Sequence, residues 1–218
     1  MSPNPWHTDR SKPAFSLIEM VAVMGVLAML CVTGFSLMHG TGCQSRKAAL
    51  DLLAGAIEQA RAAAITSRSY VVLAVAEPGD LPTGDERCRL GMFAVATWPD
   101  AATDTVRGEL LARWQTFDSG IALLGGEVAG VENPMDRPKL TIASDTAQPR
   151  ILTVHALVFN PRGGLHYPPG SMPVAMCIAE GCYRGGQATP YRRGAAAGIT
   201  ASCLKISRVT SHSYRIDG

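Results

Sequence analysis

Sequence signatures of catalysis are missing from this 218-residue chain. No Gly-x-Ser-x-Gly nucleophile motif occurs, and Asp118-Ser119-Gly120 is typical of a turn. The glycine pairs at 125–126, 163–164 and 185–186 lack the downstream Lys-Ser or Lys-Thr of a phosphate-binding loop. His155 falls within a predicted strand, where a histidine is usually a satisfied core or surface residue. We therefore predict a protein that is not an enzyme and has no cofactor.

A large net charge is also lacking. The formal charge is +2, which does not indicate nucleic acid binding by bulk electrostatics. The distribution is uneven, because residues 146–218 hold eight Lys or Arg against two acids, whereas residues 43–145 hold ten against fourteen. This basic C-terminal third is either a set of scattered solvated arginines or a polyanion-binding face. Its candidate phosphate contacts are Arg184, Arg192, Arg193, Arg208 and Arg215.

Zinc-binding spacing is absent from the six cysteines. Cys177 and Cys182 have four residues between them, but no second cysteine pair or His-x3-His lies nearby, so we predict no metal site. The number of cysteines favours an oxidising compartment. Cys177 and Cys182 are the best local disulfide pair, and Cys203 competes for either of them.

Charge is almost absent from residues 14–38, where Glu19 is the only formally charged side chain. Phe15–Met38 has the length and apolarity of a transmembrane helix. A carboxylate inside such a helix is costly and needs a partner. A secretory signal peptide would have a cleavage site after its apolar core, whereas here the small residue Ala14 precedes the run.

The junction Ala14-Phe15-Ser16-Leu17-Ile18-Glu19 follows a short, mildly basic leader. It resembles the processing motif of type IV pilins and type II secretion pseudopilins. The resemblance implies a prepilin peptidase that cuts between Ala14 and Phe15 and methylates the new amine. Glu19 is then the acid at the fifth position of the mature chain, which can pair with the Phe15 amine of a neighbouring subunit. The family usually has glycine where this chain has Ala14.

Beyond this motif, the periodicity predicts one more helical segment and then only strands. Leu50, Leu53, Ile57, Ala60 and Ala64 recur at intervals of three and four residues, which indicates an amphipathic helix. The predicted strands cover residues 70–76, 90–98, 110–117, 121–124, 140–143, 151–159, 174–179, 203–209 and 213–216. This order predicts an α+β fold in which a long N-terminal helix, membrane anchor plus amphipathic stalk, packs on an antiparallel β-sheet.

Three later segments narrow the resemblance to the GspH/FimT type of minor pseudopilin. They are the helix end Ala60–Ile65 leading into Val71-Val72-Leu73, the strand and turn Leu157–Gly164, and the closing strand Leu204–Val209. The resemblance implies four segments along the chain. These are a leader at 1–14, a transmembrane helix at 15–38, an amphipathic helical stalk at 39–68 and a periplasmic β-rich domain at 69–218.

The implied function is that of a minor pilin or pseudopilin subunit of a type II secretion system or type IV pilus. The subunit would be held in the inner membrane by a single span, with its C-terminal domain in the periplasm, until it joins a filament. Its expected partners are the membrane itself, a prepilin peptidase, other pilins and an inner-membrane assembly platform with its ATPase. One alternative is a FimT-like subunit that binds DNA for uptake through the basic third. Another is a single-span protein with a periplasmic enzyme domain.

Overall fold

The computed structural model describes residues 18, 20–27, 29, 41–82, 86–99, 105–126, 130–144, 150–191 and 201–217. The chain forms two compact units, Met1–Thr41 and Gly42–Gly218. All the described strands belong to the larger unit.

In the smaller unit, the described residues 18, 20–27 and 29 are all helical, and we name the continuous stretch 20–27 helix α1. Among the described residues, no helix combines the length and the apolarity that crossing a membrane requires. This finding contradicts the predicted transmembrane helix at Phe15–Met38 and the predicted inner-membrane location. Residues 15–17, 19, 28 and 30–38 of that segment lie outside the described residues.

The second helix, α2, covers Thr41–Ser67. It is rich in alanine, the residue with the highest helix propensity. The five apolar positions that the spacing placed on one face are all buried: Leu50, Leu53, Ile57, Ala60 and Ala64. The helix is followed by Arg68 with φ of 51°, a left-handed conformation that is common just after helices. The chain then enters a β-branched segment and becomes extended.

Twelve strands are described. In chain order they are β1 (Tyr70–Ala76), β2 (Arg89–Val95), β3 (Val106–Leu110), β4 (Gln115–Thr116), β5 (Ile121–Leu124), β6 (Leu140–Ser144), β7 (Ile151–Phe159), β8 (Leu165–Tyr167), β9 (Val174–Arg184), β10 (Gln187–Pro190), β11 (Ala201–Ile206) and β12 (Ser213–Asp217). One turn of 3₁₀ helix at Pro134–Asp136 lies between β5 and β6.

A seven-stranded sheet closes on itself. Its order is β1-β2-β3-β6-β7-β8 with β4 beside β2, and β1 also pairs with β7. The five strands β1, β2, β3, β6 and β7 therefore form a closed ring. The β3–β6 pair is parallel, whereas the other pairs of the ring are antiparallel.

The remaining described strands form a five-stranded antiparallel sheet. Its order is β10-β9-β11-β12, with β5 also beside β9. The long strand β9 is the centre of this sheet, because it pairs with β5, β10 and β11.

Two hydrophobic cores follow from the alternation of side chains along β1. Its odd-numbered residues from Val71 to Val75 join the core that contains the apolar face of α2 and residues of β9 and β11. Its even-numbered residues from Val72 to Ala76 join a second core, which β2, β3, β6 and β7 also line, and which is therefore inside the ring. Because β1 is buried on both faces, its sequence is apolar without interruption.

The predicted fold class was wrong. The structure describes helix at residues 20–27 and at Thr41–Ser67, and no long N-terminal helix among its described residues. The β structure is two sheets instead of one, and the ring is mixed because β3 and β6 are parallel. An alternating pattern identifies a strand, but it does not identify the strand's partner or direction, so this arrangement was not accessible from periodicity.

The predicted disulfide Cys177–Cys182 was also wrong. Cys177 is bonded to Cys203, the competitor, and Cys182 is a free thiol. Both Cys177 and Cys182 lie in the extended β9, where five steps along the strand separate their Cα atoms by about 16 Å. A disulfide requires less than about 7 Å. Cys203 lies directly opposite Cys177 in the β9–β11 pair.

Leu53 in α2 tests how strongly the shared core stabilises the domain. Leu53→Ala should lower the free energy of unfolding by about 3 kcal/mol, because a fully buried leucine leaves a cavity. The matched variant Leu52→Ala, at a half-buried neighbouring position, should cost clearly less. Urea unfolding of both variants measures this, and equal losses would contradict the packing described for α2.

The cysteine pairing has its own test. Cys203→Ser should destabilise the non-reduced protein by about 3 kcal/mol, because the Cys177–Cys203 bridge spans 26 residues. Cys182→Ser should leave stability nearly unchanged. Thermal unfolding and non-reducing peptide mapping check both outcomes, and a mapped Cys177–Cys182 peptide would contradict the structure.

Candidate functional site

All residues of helix α1 are apolar, so no side of the helix is polar. Its large residues are between 49% and 69% exposed, with Val23 and Met24 as the two extremes. Ala22, Val23, Val26 and Leu27 together line an apolar groove on its surface. A helix that is apolar all round is normally buried, and exposed apolar patches of this kind mark interaction sites. Helix α1 is therefore the candidate assembly surface of the chain.

The predicted processing motif precedes α1 in the sequence. Ala14, Phe15 and Glu19 are outside the described residues, so the structure does not place the cleavage point or the predicted carboxylate. Ile18, within the motif, is helical and 77% exposed.

The arginines that were predicted to bind a polyanion differ in their exposure and in their partners, as far as the structure describes them. Arg208 donates from Nη2 to Glu132 Oε2 at 2.7 Å and from Nε to the carbonyl of Met172, and its side chain is only 12% exposed. Arg215 forms an ion pair with Asp51 of α2. Arg184 is exposed at the end of β9 and forms no ion pair within the described part of the chain. Arg192 and Arg193 lie outside the described residues.

Two contacts hold the C-terminal hairpin against α2. Arg215 in β12 pairs with Asp51, and His212 before β12 places Nδ1 3.3 Å from Glu58 Oε1. Glu58 also pairs with Arg61 one turn along the helix, at 3.3 Å. Apart from Arg61, whose side chain is 26% exposed, these groups are substantially solvated, so each pair contributes little to stability on its own. Their effect is to fix where the hairpin lies on the helix.

A partly buried charge cluster, which the sequence did not reveal, lies at the end of β1. Lys139 Nζ is 3.0 Å from Glu77 Oε2 and 2.7 Å from Asp80 Oδ1. His155 of β7 places Nε2 3.4 Å from the same Glu77 oxygen, and its other nitrogen, Nδ1, lies 3.2 Å from the carbonyl of Pro134. His155 is thus the satisfied core histidine that its mid-strand position predicted. In the sequence, only the mid-strand position of His155 hinted at polar partners, because a buried polar side chain requires them. It did not show that these partners are Glu77 and Pro134.

The cluster shifts the pKa values of its members. Burial alone would raise the pKa of Glu77, but hydrogen bonds from His155 and Lys139 outweigh it and hold that pKa below its ordinary value of 4.5. Burial likewise lowers the pKa of Lys139 by itself, yet its hydrogen bonds to Asp80 and Glu77 raise it above 10.5. Both groups are therefore charged near neutral pH.

A buried thiol lies close to this cluster. Cys88 donates its S–H to Tyr183 Oη at 2.9 Å, and the Tyr183 oxygen also accepts from the Leu123 N–H at 3.1 Å. Burial raises the pKa of the Cys88 thiol to about 12. A thiol protonated at neutral pH is a poor nucleophile, so Cys88 fits a structural role. In the described ranges no group of three or more His, Cys, Asp or Glu is arranged to hold a metal ion.

Acid should weaken the domain through Glu77. Because its folded pKa lies below the unfolded value, its stabilising contribution is present above about pH 4.5 and is lost as pH falls through the folded pKa. The melting temperature should fall in this acid range, and Glu77→Gln should reduce the fall. Glu109→Gln, at an exposed position of β3, should keep the wild-type acid dependence. An unchanged acid limb in Glu77→Gln would contradict this role.

Comparison with known proteins identifies no relative. The chain matches no family model, no curated protein and no solved structure. What the protein does has therefore to be inferred from its N-terminal motif and from the surfaces and contacts described above.

Proposed function

We propose that the protein is a minor pilin-like subunit that is processed before Phe15 and joins a filament through its N-terminal helix. The observation that carries this proposal is the exposure of α1, whose apolar residues lie on every described side of the helix. Packing α1 against equivalent helices of other subunits would remove this surface from water, which is strongly favourable. The processing motif at Ala14–Glu19 independently supports the same assignment.

Glu19 has a definite role in this proposal. Packed among apolar helices, an isolated carboxylate would be strongly unfavourable, and so would the amine that cleavage creates at Phe15. Pairing Glu19 of one subunit with the Phe15 amine of its neighbour compensates both charges and sets the register between subunits. The proposed partners are accordingly a prepilin peptidase, other pilins and the machinery that assembles the filament.

DNA binding for uptake has less support as the function. A phosphate-binding surface needs guanidinium groups that are free to meet the backbone. Arg208 is instead held by Glu132, and Arg215 is paired with Asp51. Arg184 is the predicted contact that has no such partner among the described residues. DNA affinity that falls steeply with salt, and falls further in Arg184→Ala, would favour this alternative over a purely structural subunit.

Processing is the first test of the proposal. Mass spectrometry of the protein from cells with an active prepilin peptidase should find a chain that begins at N-methylated Phe15, as the motif implies. The same protein from cells without the peptidase should begin at Met1. An intact Met1 terminus in both would contradict the proposal.

Assembly is the second test. Glu19→Ala should leave the protein processed but reduce its amount in sheared filaments or crosslinked subunit complexes by at least about tenfold. The reason is that an unpaired amine among apolar helices costs about 3 kcal/mol or more. Glu109→Ala, which removes an exposed carboxylate of the domain, is the matched control and should assemble normally. Normal incorporation of Glu19→Ala would rule out the charge pair.

A further inference from the structure

Strand β12 is an open edge of the five-stranded sheet, because it pairs with β11 and with no second strand among those described. The Ser207 N–H donates to the His212 carbonyl at 3.1 Å, which makes residues 207 and 212 a hydrogen-bonded pair. Such pairs alternate along antiparallel strands, so the backbone groups of Tyr214 and Ile216 also face β11. The backbone N–H and C=O groups that point away from β11 are those of Ser213, Arg215 and Asp217.

This row of outward groups has no backbone partner in the described part of the chain. Natural edge strands are usually protected by proline, lysine or a bulge. Strand β12 reads Ser-Tyr-Arg-Ile-Asp and pairs with β11 in a continuous register, so it has none of these devices. By contrast, β10 at the other edge of the sheet ends in Pro190. The edge of β12 is therefore able to accept a further strand.

The α2 side of this edge leaves room for side chains. Arg215 pairs with Asp51 of α2, and its register partner Leu204 is buried in the core that α2 shares, so this face of β12 is turned toward the helix. Gly55 lies between Asp51 and Glu58, the two helix residues that contact the hairpin, on the same side of α2. A Cβ atom built on Gly55 would meet nothing within 4 Å. The helix surface beside the edge is thus open.

The opposite face of the edge has an unpaired cation. Lys205 is the register partner of Tyr214, and its Nζ lies 5.7 Å from the centre of the Tyr214 ring. This cation–π contact places the ammonium over β12, toward the open edge. Lys205 forms no ion pair with any acid of the described ranges. An acidic side chain on an added strand, opposite Tyr214, would supply a partner for it.

We propose that the open edge of β12 binds an extended acidic segment of another protein chain, which adds a sixth strand to the five-stranded sheet. Main-chain hydrogen bonds to the outward groups of Ser213 and Arg215 supply the affinity, as is usual for strand addition. A carboxylate beside Lys205, flanked by β-branched residues, supplies the selectivity. This binding site does not involve α1, so the inference goes beyond the proposed assembly of the chain.

Binding of a designed probe peptide tests the site. The probe is fluorescein-labelled Thr-Val-Glu-Val-Thr with blocked ends, titrated with the full chain in detergent and followed by fluorescence anisotropy. It should bind with a Kd below about 1 mM. A probe with lysine in place of glutamate should bind about fivefold more weakly, because an exposed attractive contact is replaced by a repulsive one. No saturable binding, or equal binding of both probes, would overturn the proposal.

Hydrogen exchange of the full chain, read by mass spectrometry, locates the bound probe. The outward amides of residues 213, 215 and 217 should exchange rapidly in the free protein. The glutamate probe should slow them at least about fivefold, the effect of gaining one hydrogen bond each. Amides of β10 should not change. Outward amides that are already protected in the free protein would mean that another part of the chain covers the edge, which would overturn the proposal.

Ser213→Pro tests the main-chain pairing. Proline removes one outward N–H at the first residue of the strand, where it is tolerated, and leaves the bonds to β11 in place. The glutamate probe should bind at least about fivefold more weakly. The matched variant Ser213→Ala keeps the N–H and should bind like the wild type. Equal binding by both variants would contradict strand addition, and a changed oligomeric state of Ser213→Pro would assign the edge to a second copy instead.

Charge reversal at Lys205 keeps the test decisive even if Ser213→Pro fails to fold. Lys205→Glu should prefer the lysine probe over the glutamate probe, because the charge beside the edge is inverted. Arg162→Glu, which inverts an exposed cation in the turn after β7, is the matched control and should keep the wild-type preference. An unchanged preference in Lys205→Glu would overturn the proposal.

Discussion

The apolar face of α2 is shared by both β-sheets, and the arrangement of the domain depends on this sharing. Leu53 and Ile57 are fully buried in a core to which β1 and β7 of the ring and β9 and β11 of the other sheet contribute. Removing apolar surface from water contributes roughly 25 cal/mol per Å². Because one helix face covers two sheets, loosening α2 would expose both of them. We therefore expect the helix and the sheets to unfold together.

Polar contacts then fix the positions that apolar packing leaves open. The ion pair of Arg208 with Glu132 fastens the loop before β12 to the start of residues 132–139, and Lys139 joins the other end of that segment to Glu77 and Asp80. Partly buried pairs of this kind add little net stability, but breaking one leaves a costly unpaired charge. They therefore select one path for the chain between the sheets.

The sequence could predict elements but not their arrangement. The bounds of β1, β5 and β7 and the buried face of α2 followed from periodicity, since these segments pack against apolar neighbours. The ring closure, the parallel β3–β6 pair and the extension of β9 past Ala179 depend on long-range pairing, and that extension made Cys177–Cys182 impossible. The partners of Arg208 and Arg215 were equally hidden, because charge in a sequence does not show which acid lies beside it.

Native-state hydrogen exchange at increasing denaturant tests the shared-helix account most directly. If α2 unites the two sheets, the slowest amides of α2, β1 and β9 should open with one common free energy, equal to that of global unfolding. The account would be contradicted if β9 and β11 opened at a clearly lower free energy while α2 and β1 remained protected. The five-stranded sheet would then unfold independently of the helix.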